Sequence, residues 1–156
     1  MKSNINVAII LSMILVYVGC KSNPMAPTVV ASENWKVVMN NDTTNHADQT
    51  FQKKSDGSIA VSSTWYFYHD TLQCKFSNGK ATVSDTTISF AAQGTATSLS
   101  APAGYQECGF TMTTSGSAYN GTSSGTFNIA FSRSGWASGL SGTFAAERES
   151  GSGVTK

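Results

Sequence analysis

The chain has 156 residues, with ten Lys/Arg against nine Asp/Glu and a formal charge of +1. No basic stripe is present to serve nucleic acid, and no acidic block to serve as a metal buffer or disordered tail. Only 12% of residues are charged, while Ser, Thr and Gly number 23, 18 and 14, the composition of an exported β-protein with polar outward faces and many turns.

The chain opens on an export pattern. Lys2 precedes an apolar run from Ile5 to Val18, interrupted only by Asn6 and Ser12 and ending at Gly19-Cys20. The run is too short to cross a bilayer, which takes about 20 apolar residues, and fits the helical h-region of a signal peptide over 1–19. Tyr17-Val18-Gly19-Cys20 resembles the lipobox of bacterial lipoprotein signals, with Tyr17 where Leu is usual. The resemblance implies cleavage before Cys20, a diacylglyceryl group on its thiol and acylation of the new N-terminus. Several chains on one cysteine anchor stably, whereas one is marginal. The implied location is the bacterial cell envelope, with Lys21 pointing to the outer membrane or cell surface in a Gram-negative organism.

Residues 20–33, with Pro24 and Pro27 and no amphipathic period, read as a flexible tether. A single domain is expected over 34–150, followed by a flexible tail over 151–156. Within the domain, alternation with a period of two dominates and no helical period stands out. Strands are predicted at 35–39, 50–54, 58–62 and 65–68. Two more, 72–76 and 80–83, flank Ser77-Asn78-Gly79, a hairpin signal because Asn-Gly takes positive φ cheaply. Others follow at 87–92, 106–113, 126–132 and 139–148. The inward residues of the last two are expected to be Phe127, Ile129 and Phe131, then Leu140, Phe144 and Ala146. About 8–10 short strands predict an all-β fold, an antiparallel up-and-down β-barrel, with a β-sandwich as the alternative.

Trp35 near the start and Arg148 near the end of the last strand resemble the pair that packs across the base of small lipocalin-like (calycin) barrels. That resemblance implies cation–π packing between them, worth about 0.5–2 kcal/mol.

Cys74 alternates with Leu72 and Phe76, and Cys108 with Phe110 and Met112, so both thiols fall on apolar faces. An even pair in an exported chain reads as a disulfide. Closing a loop of about 33 residues would stabilise by roughly 3–4 kcal/mol. Two buried free thiols, or a metal pair, are the alternatives.

No catalytic constellation emerges. Gly121-Thr122-Ser123-Ser124-Gly125 matches G-x-S-x-G, but the nucleophile elbow needs a helix after the serine, and a strand is predicted there. The histidines, His46 and His69, lie at a polar loop and a strand end. His46, with Asp42 and Asp48, lacks EF-hand spacing. No metal or cofactor is expected, and no enzyme.

Alternation puts Trp65 and Phe67 on one face and Tyr66 and Tyr68 on the other; Tyr66 and Tyr68 are therefore the candidate ligand or partner surface. The expected function is that of a membrane-anchored, non-catalytic lipoprotein, a monomer held through Cys20, that binds a small apolar ligand or acts as an envelope scaffold. One alternative is a protein-binding lipoprotein: Ser115-Gly116-Ser117-Ala118-Tyr119 is similar to the Ser-Gly loop of periplasmic lysozyme inhibitors. The other is a surface adhesin or glycan binder using exposed tyrosines.

Overall fold

A computed structural model describes residues 26–137 and 139–155. The predicted signal segment and Cys20 lie outside the described residues. Eight strands follow one another: β1 (Val29–Met39), β2 (Asp42–Lys54), β3 (Ile59–Phe67), β4 (Leu72–Val83), β5 (Thr87–Ser98), β6 (Glu107–Tyr119), β7 (Thr122–Phe131) and β8 (Gly139–Ser152). Each pairs antiparallel with the next, and β8 returns to β1, so the sheet is a closed up-and-down barrel. Closure leaves no unpaired edge strand.

Alternation sets the inside and the outside. Cys108, Phe110, Met112 and Thr114 of β6 are buried while the residues between them are exposed. The same period places Ile88, Phe90 and Ala92 of β5, and Phe127 and Ile129 of β7, inward. Aromatic rings fill the barrel. Phe90 packs edge-on against Phe51 at 6.2 Å and Trp65 at 6.5 Å, and tilted against Phe76 at 5.7 Å. Trp65 meets Phe127 at 5.3 Å. Each ring removes 150–250 Å² from water, roughly, which makes this stack the main stabilising element.

One predicted hairpin is a strand. Ser77-Asn78-Gly79 lies inside β4, and its register slips against both neighbours, between Val61 and Ser63 of β3 and between Lys75 and Lys80 of β4 against β5. The segment is a β-bulge, which sharpens the bend of the sheet. Gly79 is required there because a Cβ would strike Val61 Cγ1 at 2.6 Å and Ala92 at 3.1 Å. The local turn signal therefore serves curvature.

The barrel has two different ends. The β1–β2, β3–β4, β5–β6 and β7–β8 connections share one, the loop end; the other connections, the start of β1 and the finish of β8 share the base. β1 starts at Val29, inside the segment read as tether, and β8 runs two residues past Ser150. After Ser152 the chain turns back, and Val154 and Thr155 are buried beneath the base, within the segment read as a flexible tail.

Glu33 is what holds them. Its side chain is 0% exposed and accepts hydrogen bonds from Thr155 Oγ1 at 2.8 Å, from Thr155 N and Val154 N at 3.1 Å each, and from Trp35 Nε1 at 3.2 Å. Arg148 pairs with it at 3.1 Å. Burial pushes the Glu33 carboxyl upward, but the donors from Thr155, Val154 and Trp35 outweigh it and hold the group below its ordinary value. Trp35 and Arg148 are register partners across β1 and β8, but the expected cation–π packing between them is not found among the described residues, where the guanidinium over a ring is that of Arg133 on Tyr105. The Glu33 carboxylate joins them: ring N–H and guanidinium each bond one of its oxygens.

Candidate functional site

The barrel interior leaves almost no room. Its cavity measures about 10 Å³ and is lined by Trp35, Phe51, Trp65 and Phe90 among others. Roughly 10–15 Å³ holds one water. The polar groups facing it are engaged: Trp65 Nε1 donates to Gln49 Oε1 at 3.3 Å, Thr114 Oγ1 accepts from Phe90 N at 3.3 Å, and Ser123 Oγ donates to Ser117 O at 2.8 Å.

Open hollows lie on the outside of the barrel: about 570 Å³ on the β4–β6 wall, about 480 Å³ near the base and about 550 Å³ at the loop end, where the lining is aromatic. The loop-end groove runs between the β3–β4, β5–β6 and β7–β8 connections. Leu72, Phe131 and Leu140 line it from the strand ends, and Tyr68, Tyr105 and Trp136 from the loops. Tyr68 is 57% exposed and Tyr105 53%. The hydroxyls of Thr71, Ser98 and Ser100 complete the wall, and no charged residue lines it.

The loops around this groove are braced against one another. Trp136 Nε1 donates to Tyr105 O at 3.0 Å, and Arg133 donates to Glu107 O at 3.2 Å. The Arg133 guanidinium lies 4.6 Å over the Tyr105 ring, and Trp136 packs on Phe131 at 5.3 Å. Leu99 N donates to Thr71 O at 2.8 Å, tying the β5–β6 loop to the β3–β4 loop. A groove held this way loses little entropy on binding.

Tyr68 is presented by strained backbone. Tyr68, His69 and Asp70 have φ of 55°, 56° and 65°, three successive non-glycine residues in the left-handed region. Each such residue costs on the order of 1 kcal/mol or more, and such strain clusters at ligand-binding sites. Asn45 sustains it: its Oδ1 accepts from Tyr68 N at 2.9 Å, and its Nδ2 donates to Asp42 Oδ2 at 2.9 Å.

Tyr66 and Tyr68 are separated by this turn. Tyr66 lies on the outer wall, its ring stacked on His46 at 5.0 Å and 16°, while Tyr68 joins the groove. Trp65 and Phe67 are core. Phe131 and Leu140 were expected only as inward strand residues, and Tyr105 and Trp136 were not expected in a site at all because they come from two distant connections. The apolar residues beside Gly104 and Gly135 were the available signal.

The predicted Cys74–Cys108 disulfide is corrected by the structure, in which both are free, buried thiols. Cys74 pairs with Ala96 of β5, and Ala96 pairs with Cys108 of β6, so a whole strand lies between them. Two strand spacings of about 4.8 Å exceed the roughly 7 Å that a disulfide can span between Cα atoms. Burial, helped by the neighbouring Cys108, pushes the Cys74 thiol up to about 12, far from the reactive thiolate.

The G-x-S-x-G match begins in the β6–β7 turn and continues as strand β7, without a helix. Ser115–Tyr119, likened to an inhibitor loop, lies within β6. His46 Nδ1 stands 4.0 Å from Asp70 Oδ1, too far for a hydrogen bond. Among the described residues, no three His, Cys, Asp or Glu side chains converge as a metal site.

What results is a closed eight-stranded up-and-down β-barrel with a filled interior and a braced aromatic groove at one end. Comparison with protein-family models, curated proteins and solved structures gives no match.

Proposed function

We propose that this protein is a lipid-anchored, non-catalytic binding protein of the bacterial cell envelope, with its ligand site in the loop-end groove. The observation that carries the binding reading is the lining: the interior has room for about one water, and among the outer hollows the loop-end groove of about 550 Å³ gathers Tyr68, Tyr105, Phe131 and Trp136 without a charged residue. Small-molecule sites measure roughly 300–1,000 Å³ and combine an apolar lining with a few polar groups. The expected small apolar ligand thus moves from the interior to the end, and an amphipathic one suits the hydroxyl rim.

The anchor reading rests on the Tyr17-Val18-Gly19-Cys20 pattern, and the topology accords with it. β1 starts nine residues after Cys20, at the base. The 12 residues of β5, rising about 3.3 Å each and tilted by about 40°, put the groove roughly 30 Å from the base. An anchored barrel would therefore hold its groove toward the surroundings.

Two substitutions test the two halves. Cys20→Ser should abolish acyl labelling and release the protein from membranes; continued labelling and retention defeat the anchor. Native mass spectrometry of the protein should find a small amphipathic adduct that Trp136→Ala removes; an adduct indifferent to Trp136 defeats the groove.

A further inference from the structure

The barrel wall is electrostatically divided. Residues 33–85 carry eleven charged side chains, whereas residues 86–146 carry two, Glu107 and Arg133. Both of these stand at the loop end, and both are tied into the brace of the groove. The outer face of β5–β8 below them has no charge until Glu147. Its outward positions instead form cross-strand rows of small hydroxyl and amide residues. Ser89 pairs with Ser115, Ser115 with Thr126 and Thr126 with Thr143. Thr113 pairs with Asn128 one row nearer the loop end. Neighbouring strands in a row are about 4.8 Å apart, and successive rows about 6.7 Å.

We infer that the groove and the β5–β8 face together bind a neutral glycan, with a sugar ring on the aromatic groove and the rest of the chain along the hydroxyl rows. This inference rests on the groove being the binding site. Three features select that partner. Tyr68, Tyr105 and Trp136 line the groove together with the hydroxyls of Thr71, Ser98 and Ser100 and no charged residue, and aromatic rings beside hydroxyls suit the C–H face and the polar edges of a pyranose. The adjoining face supplies hydrogen-bond donors and acceptors without a charge that a neutral polymer would have to desolvate. It also lacks the large apolar anchors on which protein interfaces depend: the single exposed aromatic on these strands is Tyr119, at the base.

The test uses the acylated full chain in zwitterionic lipid vesicles. The probes are a panel of neutral polysaccharides (β-1,3-glucan, dextran, mannan, galactan) and the carboxymethylated form of each. A neutral member should bind, with affinity changing less than twofold between 50 and 500 mM salt, and its carboxymethylated form should bind at least tenfold more weakly. Trp136→Ala should weaken binding at least tenfold, and so should Ser115→Glu/Thr126→Glu, which charges the face and leaves the groove intact. Unchanged urea midpoints exclude unfolding as the cause. If an apolar dye binds the groove and is lost in Trp136→Ala while no neutral glycan binds, the glycan inference is overturned and the groove reading stands. If neither binds, both fall. Equal or tighter binding of the carboxymethylated glycans also overturns the inference, as does indifference to Ser115→Glu/Thr126→Glu.

Discussion

Replacing Glu33 by Ala should be the most damaging single change at the base of the barrel. The side chain is fully buried and serves five donors: Trp35 Nε1, Arg148, Val154 N, Thr155 N and Thr155 Oγ1. Removing one partner of a buried ion pair costs about 3–5 kcal/mol, because the other groups stay desolvated. Hydrogen bonds to a charged acceptor contribute about 1.5–3 kcal/mol each, but donors that share one acceptor are not additive. The expected loss for Glu33→Ala is therefore about 3–5 kcal/mol, or roughly 12–20 °C in Tm for a domain of this size. Truncation after Ser152 removes three of those donors and the burial of Val154, and should cost somewhat less. Urea unfolding followed by tryptophan fluorescence measures both. The pH dependence adds a second check. Glu33 titrates lower in the folded state than its ordinary value, so it stabilises above the unfolded pKa of about 4.3, and that contribution is lost as pH falls through the folded pKa. Wild type should lose stability on acidification more steeply than Glu33→Gln. A Glu33→Ala cost below about 1 kcal/mol, or parallel acid profiles, would refute the view that this carboxylate clasps the tail to the barrel.

Three further outcomes follow from the core, the thiols and the turn. Phe90→Ala should cost about 3–5 kcal/mol and open an apolar void that takes benzene, which wild type should not bind; calorimetry with benzene distinguishes the two. Cys74 and Cys108 should resist alkylation in the native protein and both react in denaturant without prior reduction; a requirement for reductant would contradict the strand order around Ala96. His69→Gly should raise stability by about 0.5–1 kcal/mol by relieving a positive φ of 56°; a loss in thermal denaturation would place the strain elsewhere.

The legible part of this protein was the part governed by alternation. Phe127 and Ile129, Ile88 and Phe90, and Phe110 and Met112 are buried where the period of two places them. The same rule put Cys74 and Cys108 on inward faces. It carries no information about lateral distance, so Ala96 between them stayed hidden. Ser77-Asn78-Gly79 misled for a related reason: Asn78 and Gly79 do not take positive φ here, and Gly79 serves the bulge through its missing Cβ, a need set by Val61 and Ala92 on the neighbouring strands. Glu33 was passed over because one carboxylate near a strand start has no local signature; its five donors come from β1, β8 and the chain terminus.

The sequence alone determined the strand periodicity, the all-β class and the export-like opening, because each is written in residues that are neighbours along the chain. Tertiary structure decided how far the strands run, that the sheet closes, that the rings leave room for about one water, and that Tyr68, Tyr105 and Trp136 share a groove. Those outcomes depend on register and curvature, which are set between strands, where one extra residue at a bulge redirects every side chain beyond it.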